Sequence, residues 1–106
     1  MKKYEIRITN HAEKDLKEIF QYIGFEFGSI DTAIKQIKRI QKAIDSLDIY
    51  PESHKVYEHN LTEIKNLRVI KVDNYCVFYV VDKIKLEVDI LRVIYEKRDM
   101  KKQLMY

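Results

Sequence analysis

Between Lys3 and Thr9 apolar and polar residues alternate, with Tyr4, Ile6 and Ile8 on one side and Lys3, Glu5 and Arg7 on the other. A period of two predicts a half-buried strand. The period then lengthens. Ala12, Leu16, Ile19, Phe20, Ile23 and Phe27 recur at three- and four-residue steps, which places them on one face of a helix. Asn10 fits its N-cap, with Glu13 three residues on and Asp15 adding negative charge to the first turn. Gly24 weakens the last turns and Gly28 ends the helix. A second helix, capped by Ser29 or Asp31, runs to about Leu47 with Ile30, Ala33, Ile34, Ile37, Ile40, Ala43, Ile44 and Leu47 as its apolar set. Lys35, Lys38, Arg39 and Lys42 form a basic stripe on the opposite face. The short Gly-Ser link predicts a helical hairpin, closed by Pro51.

Residues 51–66 show no sustained period, and a loop of that length inside a small domain is commonly functional or mobile. Strand character returns from Leu67 to Val72 and again from Tyr75 to Asp82, with Asp73-Asn74 between them as a two-residue turn. A further turn at Lys83-Ile84-Lys85 leads into Leu86 to Tyr95, whose alternation loses phase near Leu91, where a bulge is expected. The strand from Tyr75 to Val81 is apolar on both faces, as in a central strand covered by helices. Asp99 fits the cap of a short terminal helix through Leu104. The order β-α-α-β-β-β gives an α+β fold, with the N-terminal strand and a helical hairpin packed on a small antiparallel sheet.

With 106 residues the chain forms one domain, spanning 1–106, large enough for a core without staples. Apolar residues at 46%, with only two glycines and one proline, place it among globular proteins. Eight tyrosines, four phenylalanines and no tryptophan favour half-buried faces and binding surfaces. Cys76 has no cysteine partner, and no Cys or His stands at metal spacing. A reducing cytoplasm, a packed free thiol, no metal and no cofactor are therefore expected. No signal peptide or membrane-length apolar run is visible. The net charge of +3 permits nucleic-acid contact without requiring it.

The densest chemistry lies at the end of the last strand, where Arg92, Tyr95, Lys97 and Arg98 follow one another. Three stretches together resemble the RelE/ParE superfamily of bacterial type II toxin-antitoxin toxins. The first is Tyr4 to Ile19, with Ala12, Asp15-Leu16 and Ile19; the second is Leu67 to Tyr79, the hairpin; the third is Ile90 to Asp99, with the Arg98-Asp99 pair. The resemblance covers nearly the whole chain in matching order. It implies the RelE-like toxin fold and a cytoplasmic toxin that arrests growth and is held by a cognate antitoxin. It further implies that the complex binds operator DNA through the antitoxin. RelE-like members cleave mRNA in the ribosome without metal; ParE-like members keep the scaffold and inhibit DNA gyrase.

Metal-free RNA cleavage needs a base, an acid and cations at the phosphorane. RelE-like toxins usually carry an Arg directly after the hairpin turn, where this chain has Cys76. The aromatic of their terminal helix falls near Leu104 and Tyr106. These departures favour a ParE-like binder over a nuclease. The alternative catalytic set is Arg98, Tyr95 and Arg68, with Lys71, Arg92, Lys97, Lys55, Lys35 and Arg39 as contacts to RNA or to a protein target. Strand parity puts Arg68 and Lys71 on opposite faces, and likewise Arg92 and Tyr95. His54 and His59 lie in the long loop as further candidates for proton transfer, and His11 sits in the first helical turn. A helix-covered sheet leaves a groove and an edge that recruit an amphipathic helix or an added strand, with Ile19, Phe20, Ile23 and Phe27 as anchors for the antitoxin.

Overall fold

The computed structural model describes residues 3–57, 64–98 and 104. Strand β1 (Glu5–Ile8) leads into helix α1 (Asn10–Gln21), a π-helical turn (Tyr22–Glu26) and helix α2 (Ile30–Asp45). Short 3-10 turns follow at Ser46–Asp48 and Pro51–Ser53, and then come β2 (Arg68–Val72), β3 (Tyr75–Asp82) and β4 (Glu87–Tyr95). The strands form one sheet in the order β1-β4-β3-β2.

β2, β3 and β4 are antiparallel, but β1 runs parallel to β4, with Ile6 opposite Val88 and Ile8 opposite Ile90. The sheet is therefore mixed: β2, β3 and β4 form the small antiparallel sheet expected from the sequence, and β1 joins it in parallel. Tight turns dictate antiparallel pairing only between β2, β3 and β4. No short turn constrains β1, which meets β4 from the far end of the chain.

Each connection has a local cause. Thr9, not Asn10, is the N-cap of α1: its Oγ1 accepts from the Ala12 N–H at 3.2 Å and donates to the Ile90 carbonyl at 2.8 Å. One hydroxyl so fixes the helix start and ties it to β4. Ser29 caps α2 by accepting from the Thr32 N–H. α1 stops at Gln21 instead of running to Phe27, because the chain widens into the π-turn, and Gly28 then adopts φ 67. Asp73, at φ 55, makes the β2–β3 turn. Asp82 Oδ1 accepts from the Ile84 and Lys85 N–H groups and shapes the β3–β4 turn, with Leu86 at φ 55. The bulge expected near Leu91 is present, since Tyr79 pairs with Ile90 while Phe78 pairs with Arg92.

Two apolar layers sandwich the sheet. On the helical side Ala12, Ile19, Ile23, Ala33, Ile40, Ile44 and Leu47 pack on Tyr75, Val77, Tyr79, Val88, Ile90 and Val93. On the other side Leu67, Phe78, Ile94 and Leu104 are buried together, with Tyr57, Val69, Cys76, Val80 and Leu91 against them. α2 departs from the expected apolar set: Ile30 and Ile34 are exposed while Gln36 is buried. The terminal helix expected from Asp99 lies outside the described residues apart from Leu104, which is helical and buried.

Candidate functional site

Asp15, Glu18 and Ile19 of α1, and Tyr22 at the start of the π-turn, descend one face beside the second half of β4. Among the described residues that half has no strand on its outer side, because β1 pairs with Glu87 to Ile90. Asp15 draws the two elements together. Its carboxylate accepts from Arg92 Nε at 2.8 Å, from Arg92 Nη2 at 3.0 Å and from the Val93 N–H at 2.9 Å. Both side chains are almost fully buried. A two-toothed guanidinium pair completed by a backbone donor satisfies the carboxylate and makes the burial tolerable.

Beyond that bond the walls part and leave a recess of about 420 Å³. Ile19, Tyr22, Ile23 and Phe27 line the helical wall, and Asn74, Tyr75, Tyr95 and Arg98 the wall of the sheet and its turn. Tyr75 and Tyr95 are cross-strand neighbours with ring centroids 5.6 Å apart, and Phe27 stands edge-on to Tyr22 at 5.2 Å. Burial, and then the neighbouring Tyr95 and Tyr22, push the Tyr75 phenol above its ordinary pKa, while Arg98 partly opposes them. The Tyr75 phenol therefore acts as a neutral hydrogen-bonding group near pH 7. Phe25 and Phe27, at 68% and 69% exposure, continue the apolar surface from the recess onto the π-turn. π-turns are frequent at functional sites.

The residues singled out from the sequence do not converge. Tyr95 and Arg98 share the recess, Arg98 at its exposed mouth. Arg68 sits opposite Tyr79, four strand positions from the Tyr75–Tyr95 pair and so roughly 13 Å away along the sheet. Its Nη1 donates to the carbonyls of Glu52 at 3.0 Å and His54 at 2.7 Å, and its Nη2 lies 3.5 Å from the Glu52 carboxylate. Lys83 holds the same carboxylate at 3.1 Å, and the Tyr79 hydroxyl donates to the Pro51 carbonyl at 2.7 Å. This cluster straps the segment after α2 to the sheet. Arg68 and His54 are parts of that strap.

Lys71 lies on the opposite face, as strand parity requires, beside Cys76. Its ammonium pairs with Glu96 at 2.7 Å, and this hydrogen bond raises its pKa. Burial, and then Glu96, push the Cys76 thiol up. Parity also separates the backbones of Arg92 and Tyr95. Yet the Arg92 side chain turns from the bulge to Asp15, so both residues border the recess. Arg39 holds Asp73 at 2.8 Å, with Gln36 donating to the same oxygen, and this pulls the Asp73 carboxyl below its usual range. Lys35, Lys55 and Lys97 are exposed on separate elements, and so is His11; His59 lies outside the described residues. Ile19 and Ile23 belong to the core, Phe20 packs against it, and Phe27 is open to solvent. Among the described residues no group of His, Cys, Asp and Glu could hold a metal ion, and no helix is long and apolar enough to cross a membrane.

Sequence reasoning missed the Asp15–Arg92 bond and the part played by Tyr22 and Tyr75. A signal for the first was present: Asp15 falls three residues after Ala12 and four before Ile19, a charge in the buried phase of a helix. Gln36, between Ala33 and Ile40, carries the same signal.

A family model for the ParE toxin of the parDE type II toxin-antitoxin system matches residues 6–100. Comparison with curated protein sequences gave no match. Among solved structures, the chromosomal ParDE system from P. aeruginosa superposes with a TM-score of 0.69 at 18% identity, over 87% of this chain and 95% of that one. The RelBE2 toxin-antitoxin complex from Mycobacterium tuberculosis gives 0.61 at 23% identity, over 90% and 93%. The archaeal RelE-RelB complex from Pyrococcus horikoshii gives 0.61 at 19% identity, over 92% and 99%.

Proposed function

The chain belongs to the ParE toxin family of type II toxin-antitoxin systems, and we propose that it arrests growth by binding a protein, DNA gyrase, without cutting RNA. The observation that carries this reading is the commitment of Arg68. Its guanidinium is occupied by two loop carbonyls and a carboxylate at the far end of the sheet from Tyr95 and Arg98. A metal-free nuclease needs several cations focused on one phosphate, and a missing donor costs on the order of 10² to 10³ in rate. Lys71 is likewise engaged by Glu96, and Cys76 supplies a neutral thiol beside it. The recess is walled instead by tyrosine and phenylalanine rings and isoleucine side chains, groups that suit a protein partner.

The toxin is held by a cognate antitoxin in the cytoplasm, and the pair binds operator DNA through the antitoxin. The support is the family together with the toxin-antitoxin complexes among similar folds. Two assays on the purified chain decide the target. Inhibition of gyrase supercoiling, with ribosome-bound mRNA left intact, is the expected result. Codon-specific cleavage in a stalled translation complex, lost in Arg98→Ala or Tyr95→Phe, would establish the competing nuclease reading.

A further inference from the structure

We infer that α2 is a second contact surface, on which Lys35, Lys38 and Lys42 hold the phosphates of duplex DNA without reading its sequence. The choice of DNA over duplex RNA rests on the operator reading above, which brings DNA to the chain. The contact itself belongs to the toxin and not to the antitoxin.

Helical geometry sets the row. At about 100° per residue the three lysines fall within a sector of about 60°, and Lys35 to Lys42 spans about 10 Å of the axis. That sector points away from the sheet, opposite the side of α2 that buries Ala33, Gln36, Ile40 and Ile44. Arg39 flanks the row and is fixed by Asp73 at 2.8 Å. Among the described residues Lys35, Lys38 and Lys42 make no ion pair, whereas Lys17, Lys71 and Lys83 each meet a carboxylate. The acids of α2 stand at its ends: Asp31 in the first turn, and Asp45, which accepts from Gln41 at 3.0 Å. Positive charge is therefore uncompensated over the middle turns.

The make-up of this face selects the partner. Protein interfaces have an apolar core and are depleted in lysine. The sector holds no apolar side chain, since Ile30 and Ile34 lie about a quarter-turn to one side, Ile30 close to Gly24. Single strands are held on aromatic platforms, and α2 contains no aromatic residue. Ammonium groups on flexible stems, spaced along a rigid helix, suit a row of phosphates. Among the described residues none from α2 lines the recess, so the two surfaces can be occupied together.

The test titrates the purified chain with a short fluorescent DNA duplex across about 20–100 mM salt. Each phosphate contact contributes about −0.9 to the slope of log Kobs against log[salt], so a slope of about −3 is expected. Lys35→Gln, Lys38→Gln and Lys42→Gln together should reduce it to about −1 or less, and the same three changes to Arg should keep it. Lys14→Gln, Lys65→Gln and Lys85→Gln remove equal charge from other exposed sites and should leave the slope in place. Equal losses in the two Gln variants would make net charge the cause and overturn the row. Tighter binding of duplex RNA or of a single strand overturns duplex DNA as the occupant. A chain that ignores DNA overturns the inference and spares the operator reading, which assigns that DNA to the antitoxin. Failure of the antitoxin complex to bind operator DNA would overturn that reading alone.

Discussion

Arg92 and Asp15 stand 77 residues apart in sequence and meet through two hydrogen bonds, with the Val93 N–H as a third donor to the same carboxylate. The contact joins the first helix to the last strand, and each partner leaves a buried charge if the other is removed. Asp15→Ala or Arg92→Ala should therefore cost about 3–5 kcal/mol in urea unfolding. The double change Asp15→Leu with Arg92→Met should cost much less than the two single changes together, because no lone charge remains.

Tyr79 gives the protein an alkaline limit. Its hydroxyl is wholly buried and donates to the Pro51 carbonyl, and desolvation pushes its pKa up to about 12 from 10.0. The folded state therefore holds the proton more tightly than the unfolded chain. The resulting stability is fully present below pH 10 and is lost as pH rises toward 12, by roughly 2–3 kcal/mol. Tyr79→Phe should flatten that slope in unfolding measured from pH 9 to 12, and should cost about 1–2 kcal/mol at neutral pH for the unpaired carbonyl.

Arg68 should behave as a structural residue. Arg68→Ala removes charge-assisted bonds to the segment around Glu52 and His54 and should lower stability by about 2–4 kcal/mol. Protein that remains folded should inhibit gyrase with unchanged potency. Cys76→Arg should likewise leave ribosome-bound mRNA intact, because the groups around that position do not include Arg68 or Tyr95. A large gain in cleavage by that variant would show that one absent cation had been masking a nuclease.

Leu104 closes the second apolar layer against Leu67, Phe78 and Ile94 and is 4% exposed. Leu104→Ala should cost about 2–4 kcal/mol in thermal or urea unfolding. A cost near zero would mean that this end of the chain contributes nothing to the layer.

Local periodicity predicts the elements well, since period-two and helical spacing persist long enough to name both helices and every strand. It also finds the bulge, because a lost phase near Leu91 is visible in the alternation. Direction is less accessible: β1 pairs with β4, 80 or more residues away, and nothing in Glu5 to Ile8 encodes parallel pairing. The π-turn is hidden for a related reason. Its apolar residues keep helical spacing, yet Phe25 and Phe27 are exposed. For the site, residue type alone overcounts. Arg68, Lys71 and Arg92 look like candidate cations in the sequence, and only the fold reveals that each already serves a carboxylate or a loop.

The parallel seam between β1 and β4 also governs when the recess can form. β1 is made well before β4, its strand partner among the described residues. Until then the sheet cannot close, Asp15 has no guanidinium to meet and the aromatic wall of the recess does not exist. Contacts so distant in sequence form slowly, because the intervening chain must be ordered first. The recess, walled by the first helix and the last strand, is accordingly among the last features of the fold to take shape.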